Sequence, residues 1–232
     1  MTLVRLTASA ALKEKRLEGL LAARVADRAV LASVVEDARL LGSLELAGVP
    51  ASWEDVRRPD PEAPGEVRRL RQAFRSVAKD APLDRGALRA WHAAVVGVPS
   101  GWRAEPRTRE GAPPAPPGAI EGRLEILEGW LASESVARLA PAQAGALVLA
   151  RVVEILPFDD GNGRVSRLAA THAAVRAGGR APILVGGDGV RLKAALQAAF
   201  ALDMAPLAAL LDEAGERSLD VMIQALEAPA PR

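Results

Sequence analysis

Apolar residues recur every three or four positions along most of the chain, and clusters of Gly or Pro interrupt the pattern. This spacing predicts a series of amphipathic α-helices. Over residues 7–46 it predicts a short helix and a longer one, with Gly19 between them and Gly48-Val49-Pro50 as the stop. Ser52 is a plausible N-cap for a short helix that starts at Trp53. The other predicted helices span residues 66–79, 84–96, 120–131, 142–155, 164–177, 190–202 and 206–214.

The composition favours an all-α fold. Alanine, leucine and arginine are abundant, aromatic residues make up 3% of the chain, and tyrosine is absent. These abundant residues are good helix formers, whereas strands prefer β-branched and aromatic residues. The length of 232 residues predicts one domain, or one domain with a small appendage. We expect an N-terminal helical region over residues 1–60, a main domain over 61–220 and a C-terminal tail over 221–232.

Charge and residue usage exclude several classes of function. The chain has 30 basic and 29 acidic residues, a balance that argues against a dedicated nucleic-acid binder. There is no cysteine and there are two histidines, His92 and His172. Disulfides, thiolate metal sites and a His-based zinc site are therefore not expected. No apolar run reaches the length of a membrane span, and the N-terminus lacks a signal-peptide pattern. We expect a cytoplasmic protein.

Residues 156–167, Leu-Pro-Phe-Asp-Asp-Gly-Asn-Gly-Arg-Val-Ser-Arg, carry the candidate chemistry. Two glycines flank Asn162, so the backbone can approach a ligand closely, and the free N–H groups of the following helix suit phosphate oxygens. Arg164 and Arg167 are three residues apart and share a helix face, so both can reach one anion. Asp160 is a hard oxygen ligand suited to Mg²⁺. The segment predicts a triphosphate site.

The same segment resembles the signature loop of the Fic (Fido) family of AMP transferases, His-x-Phe-x-(Asp/Glu)-Gly-Asn-Gly-Arg-x-x-Arg. Seven of its eight fixed positions are filled, by Phe158, Asp160, Gly161, Asn162, Gly163, Arg164 and Arg167. A weaker similarity extends over about residues 65–215. The resemblance implies a Fic-fold helical bundle with a small flap, capable of a short β-hairpin, before the motif helices. It also implies ATP with Mg²⁺ as cofactors, with Asp160 on the metal and with residues 161–163, Arg164 and Arg167 on the phosphates.

The departure from the family pattern is Leu156, which stands where the family has its catalytic histidine. Leucine has no basic lone pair, and a general base typically contributes ~10² to 10⁴ in rate. His172 lies on an apolar stripe of the next helix, opposite the arginines, so we predict a structural role for it. We interpret His92, beside Trp91 on an apolar helix, in the same way.

Two further family features are weak in this sequence. Glu45 falls where many Fic proteins carry an inhibitory glutamate that pairs with the second arginine of the loop. In that motif, however, Leu41 replaces the hydroxyl residue and Leu46 replaces the small residue. Glu36 is a weaker candidate, and a plain surface carboxylate is the alternative interpretation for Glu45. The flap holds Pro106 and has Thr108 as its β-branched residue over 102–112, so its strand propensity is poor.

Three hypotheses of function follow. The leading hypothesis is an ATP/Mg²⁺-binding pseudoenzyme or regulatory module, impaired in protein AMPylation, that acts with a nucleotide and a protein target or regulatory partner. The second is an active transferase of nucleotidyl or other phosphate-containing groups that uses another base. The third is an interaction module that binds no nucleotide. Neither nucleic acid nor a membrane is expected as a partner.

Overall fold

The computed structural model describes residues 8–23, 28–77, 80–99, 101–109 and 112–228, and these residues form helices, short turns and loops with no β-strand. The all-α prediction is confirmed. The helices are α1 (Ala8–Ala23), α2 (Arg28–Glu45), α3 (Trp53–Arg57), α4 (Gly65–Arg75), α5 (Arg85–Val96), α6 (Ile120–Leu131), α7 (Pro141–Ile155), α8 (Asn162–Arg176), α9 (Gly189–Phe200) and α10 (Ala205–Glu227).

Several helix boundaries differ from the predicted ones. Gly19 lies inside α1, with open space where a side chain would be, so it does not separate two helices as predicted. The helix α4 ends at Arg75 rather than at residue 79. Ser52 caps α3 as predicted, with its hydroxyl accepting the Asp55 N–H.

The last helix is much longer than predicted. It continues beyond residue 214 to Glu227, so the expected tail from residue 221 begins within α10. The reason is packing, since Leu219, Ile223 and Leu226 are buried in a separate apolar cluster with Leu17 of α1. Tertiary burial therefore extends the helix beyond the point that local pattern marks as its end.

The helices α7 and α8 form the centre of the molecule. They are antiparallel, because Gly145 of α7 faces Ala170 of α8, and Pro141, at the start of α7, faces Gly179 beyond the end of α8. A Cβ at Gly145 would lie 3.1 Å from the Ala170 carbonyl oxygen, so the small residue allows close approach. This helix pair carries the candidate loop at one end.

The helix α2 is held against one side of this centre. Gly42 abuts the Leu184 backbone, and the carboxylate of Glu45 accepts the Gly186 N–H at 2.8 Å. On the other side, the flap residues 101–109 and 112–116 run without strand structure, and the hairpin that the flap was expected to be capable of is not formed there. Pro114 and Ala115 are buried, so the proline-rich segment 113–117 packs along the domain. Among the described residues, no helix is long and apolar enough to cross a membrane.

Candidate functional site

The candidate loop connects the end of α7 to the start of α8. Leu156 ends α7 in the left-handed conformation (φ 51°), and Gly161 precedes α8 in the same region (φ 73°). A Cβ at Gly161 would lie 3.2 Å from Val96 and 3.3 Å from His92. Glycine is therefore required at position 161 by both its backbone conformation and its close neighbours.

Asn162 holds the loop closed from within. Its side-chain oxygen accepts the Phe158 N–H at 3.0 Å, and its amide nitrogen donates to the Phe158 carbonyl at 2.7 Å. Phe158 is fully buried and anchors the loop in the core. The Asn162 side chain thus fixes the loop shape. Only the backbone N–H of Asn162 remains to donate to a ligand.

The first turn of α8 presents donors toward the loop. No side chain caps this helix, and its first backbone hydrogen bond runs from Val165 N–H to the Gly161 carbonyl. The N–H groups of residues 162–164 have no acceptor within the helix, as at any helix start. Gly163 is exposed. These amides, at the positive end of the helix dipole, are suited to an anion.

The two loop carboxylates point outward. Asp160 keeps 86% of its side chain exposed and lies 3.6 Å from the Arg164 guanidinium, whose own side chain is 13% exposed. Asp159 pairs with Arg107 of the flap at 3.2 Å. In the part of the chain that the structure describes, no group of three or more His, Asp or Glu side chains could hold a metal. A divalent cation at Asp160 would therefore depend on oxygens of a ligand.

Arg167 does not share the surroundings of Arg164, although both lie near the start of α8. Its Nε donates to the Ser43 hydroxyl at 3.0 Å, and a terminal nitrogen donates to the Ser43 carbonyl at 2.8 Å. Burial, with a smaller repulsion from Arg164, lowers the pKa of Arg167 to about 10.

The predicted pairing of Glu45 with Arg167 is wrong. Among the described ion pairs none joins these residues, and Glu45 instead accepts the Gly186 N–H. The reason is helical register, because Glu45 is two residues beyond Ser43 and so points to nearly the opposite side of α2. The weaker candidate Glu36 pairs with Arg75 at 3.3 Å.

Leu156 brings no base to the site. Its side chain is half-buried, and its carbonyl accepts a hydrogen bond from Arg103 Nε at 2.6 Å. Arg103 is buried in the flap and also donates to the carbonyls of Glu105, Ala115 and Ile155. One guanidinium therefore joins the flap to the end of α7.

The histidines take different roles. His172 is buried and makes a hydrogen bond to the Ala81 carbonyl at 2.8 Å, which confirms its structural role. His92 is also buried, but its ring stacks on Phe158 at 3.8 Å and its Nε2 donates to the Asp160 carbonyl at 2.9 Å. Burial lowers the pKa of His92 despite that hydrogen bond. Sequence reasoning missed this contact with the loop, as it missed Ser43 and Arg103, because no local pattern signals contacts between distant segments.

Residues 82–174, which contain α7, the loop and most of α8, match the Fic/DOC family model. This region of the chain is therefore similar to Fic/DOC domains. It is 32% identical over 121 residues to the protein adenylyltransferase Fic of Culex quinquefasciatus, covering 51% of this chain and 24% of that protein. The match thus spans about a quarter of that relative's length.

Solved Fic structures share the fold. A Fic domain containing signaling protein from Bacteroides thetaiotaomicron superposes with a TM-score of 0.81 at 17% identity, over 97% of this chain and 100% of that one. Fic-1 from C. elegans superposes with a TM-score of 0.73 at 21% identity, over 94% of this chain and 71% of that one. The Fic helical architecture therefore includes the N-terminal helices.

Proposed function

We propose that this Fic domain binds ATP with Mg²⁺ at the loop between α7 and α8 and is impaired in protein AMPylation. The observation that supports the proposal is a closed loop that leads into a helix start whose amides have no helical acceptor. Asn162 fixes the loop, and the first amides of α8 and the Arg164 guanidinium lie beside it. Leu156 stands where the resemblance implies a catalytic histidine. In this proposal phosphate binding is kept while proton transfer is lost.

Each binding residue has a physical task. The amides of residues 161–163 would donate to phosphate oxygens, and Arg164 would add a charge-assisted contact. Arg167 would take an outer phosphate after exchanging its two bonds to Ser43. Asp160 is exposed and offers a hard oxygen, so it fits a Mg²⁺ ion shared with the phosphates, which would neutralise phosphate charge.

The missing step is removal of a proton. In adenylyl transfer a hydroxyl oxygen forms a bond to the α-phosphorus, the bond to pyrophosphate breaks, and the hydroxyl proton needs an acceptor. Leu156 cannot accept it. Relatives of this domain are named protein adenylyltransferases, so we propose a protein hydroxyl as the acceptor of AMP. Self-modification would fall on Ser or Thr, because the chain has no tyrosine.

Titration calorimetry with ATP and Mg²⁺ tests the binding half of this proposal. We expect micromolar to millimolar affinity, weakened roughly tenfold to a hundredfold by Arg164→Ala, the value of one charge-assisted contact. Arg138→Ala is the matched control, because Arg138 is exposed and precedes α7, whereas the loop follows the other end of that helix. Wild-type protein that is folded and binds no ATP would favour the interaction-module hypothesis instead.

Incubation with labelled ATP tests the catalytic half. Leu156→His should raise AMP transfer by up to ~10² to 10⁴, the contribution of a positioned base. The double variant Leu156→His with Arg167→Ala serves as the control that should lose the gain. Efficient transfer by the wild-type protein would contradict the proposed impairment and indicate a transferase with another base.

A further inference from the structure

The helices α6 and α9 both pack on α7 and leave a groove between them, here called the α6–α9 groove. Its volume is about 690 Å³. Its floor follows α7 from Leu147 to Ile155, a length of about 12 Å or a little more than two helical turns. The large apolar side chains of the lining come from α6, from α7 and from the end of α9 with the turn after it, namely Ile126, Trp130, Leu147, Phe200, Leu202 and Met204.

Two apolar side chains on the rim of the groove are open to solvent. Ile126 is 69% exposed and Leu202 is 91% exposed. Exposed apolar residues that stand singly are ordinary, whereas a continuous apolar patch marks a surface that another molecule covers. Here both residues adjoin the half-buried side chains of Trp130, Leu147 and Met204. The groove therefore forms one continuous apolar surface.

Leu202 holds a backbone conformation that favours glycine. It follows the end of α9 with a φ of 70°. The chain enters the same left-handed region beyond the ends of α2, α5 and α8, and there the residue is Gly48, Gly97 or Gly178. Leucine is strained in this region, and its exposed side chain gains nothing from the core that would offset the strain. A strained and exposed apolar residue is an outlier that points to a functional surface.

The groove carries an excess of positive charge along one side. Arg123 of α6 and Arg151 of α7 both form ion pairs with Glu154, which lines the groove beside them. Glu154 also attracts Arg109 of the flap, whose guanidinium lies 4.3 Å from the centre of the Phe200 ring. One carboxylate therefore serves three guanidinium groups.

The other acidic residues nearby do not remove this excess. Three glutamates of α6 lie on the opposite side of that helix and pair with Arg85 of α5, namely Glu121, Glu125 and Glu128. Asp203 lies in the turn after α9 and accepts the Ala205 N–H at 3.1 Å, at the start of α10. Even with Asp203 counted, the arginines at the groove outnumber the carboxylates.

We propose that the α6–α9 groove docks an acidic amphipathic helix of a protein partner. Apolar side chains of the partner, at helical spacing, cover Ile126 and Leu202, and its Asp or Glu side chains pair with Arg123 and Arg151. The occupant is a helix because the groove lies between helices, and the described residues offer no strand edge to which a partner strand could add. None of residues 156–167 lines the groove, so this inference does not rest on nucleotide binding at the loop.

Selection from a phage-displayed library of helical peptides, with the full chain as bait, tests the chemistry of the occupant. Each enriched peptide is then assayed against the single variants Ile126→Ala and Leu202→Gly. We expect a family of peptides that depends on both positions and carries apolar residues at i, i+4 and i+7 with Asp or Glu beside them. If no enriched peptide depends on these positions, or if the dependent peptides lack acidic residues, the proposal is wrong.

Leu202→Gly separates a binding role from a structural role, because the two roles predict opposite changes. Fluorescence anisotropy with a labelled peptide of that family should show binding weakened at least about tenfold, the value of burying a leucine side chain. The melting temperature should stay at or above that of the wild type, since glycine adopts the positive φ without strain. Val190→Ala is the matched control, because it trims an 84% exposed side chain at the other end of α9 and should leave binding unchanged. A Leu202→Gly protein that is destabilised and binds the peptide as the wild type does would contradict the proposal.

Two further measurements test the charge of the occupant and its identity as a partner. Stopped-flow association of the peptide should slow as NaCl is raised, and Arg151→Glu should slow it several-fold at low salt and reduce the salt dependence. Association that is indifferent to salt and to Arg151→Glu would overturn the acidic occupant. In sedimentation velocity the chain alone should give the same species for the wild type and Leu202→Gly. A wild-type dimer that Leu202→Gly converts to a monomer would show that a second copy covers the groove, and it would overturn the proposed partner.

Discussion

Gly42 is the position where one added methyl group should displace α2 from the site. An ideal Cβ there would overlap the Leu184 carbonyl oxygen, and it would lie 2.9 Å from the Leu184 carbonyl carbon and 3.1 Å from Val185 Cα. These are backbone atoms that cannot rotate aside. Gly42→Ala therefore forces α2 or the segment at 184–185 to move, and Ser43, the next residue, moves with it.

Two effects of this substitution oppose each other. Alanine in a helix interior is favoured over glycine by about 1 kcal/mol. Overpacking against a fixed neighbour typically costs about 1–3 kcal/mol, occasionally more, and a backbone overlap belongs at the upper end. The net expectation is a loss of about 1–2 kcal/mol of unfolding free energy. For a chain of this length that loss lowers the melting temperature by about 2–8 °C.

Gly19→Ala is the matched control, because Gly19 is also within a helix but has nothing within 4 Å of its added Cβ. It should raise the melting temperature, while Gly42→Ala should lower it, as followed by circular dichroism at 222 nm. A Gly42→Ala protein that melts at or above the wild-type temperature would refute the reasoning.

Three other substitutions test the loop and the flap. Asn162→Ala removes two buried hydrogen bonds and should lower the unfolding free energy, measured in urea, by about 2 kcal/mol. The control Asp159→Asn alters an exposed side chain and should change that free energy by less than about 0.5 kcal/mol. Equal effects of the two substitutions would contradict the loop-closing role of Asn162. Arg103→Met should lower the unfolding free energy by at least about 2 kcal/mol and make the flap sensitive to proteolysis, whereas Arg107→Met should not. A flap that stays resistant to protease in Arg103→Met would contradict the role of Arg103 in holding it to α7. The pKa of His92 is lowered in the folded protein, so the unfolded state binds the proton at a higher pH than the folded state does. The unfolding free energy of the wild type should therefore fall relative to that of His92→Gln as the pH drops below about 6.5, and the difference should level off below the folded-state pKa. Parallel pH curves for the two proteins would exclude this effect.

The fold was largely predictable because local pattern and tertiary packing agree in most segments. The predicted helix over 120–131 has the bounds of α6, and the predicted helix over 84–96 matches α5, with Asp84 as its N-cap. Gly19 was misjudged because a helix tolerates an isolated glycine when nothing else breaks it. The extension of α10 was missed because its stability comes from burial against α1, which local periodicity does not reveal.

The candidate site was predictable only where it is contiguous in sequence. Spacing alone placed Arg164 and Arg167 on one face of α8, but it could not show that their partners differ. Ser43 is 124 residues away from the arginine it contacts, and Arg103 is 53 residues away from Leu156. The error at Glu45 has the same origin, since a motif position in sequence does not fix which side of α2 meets the arginine.

The backbone at Leu156 bears on whether the missing base can be restored. A non-glycine residue with positive φ is uncommon and costs about 1–2 kcal/mol, and leucine has no side-chain hydrogen bond to offset that cost. The conformation persists because Arg103 holds the Leu156 carbonyl while the following loop is closed by Asn162. Histidine is enriched among residues with positive φ, so Leu156→His introduces a residue better suited to this backbone than leucine. Failure of that variant to transfer AMP would therefore reflect the chemistry or target docking, and not a strained loop.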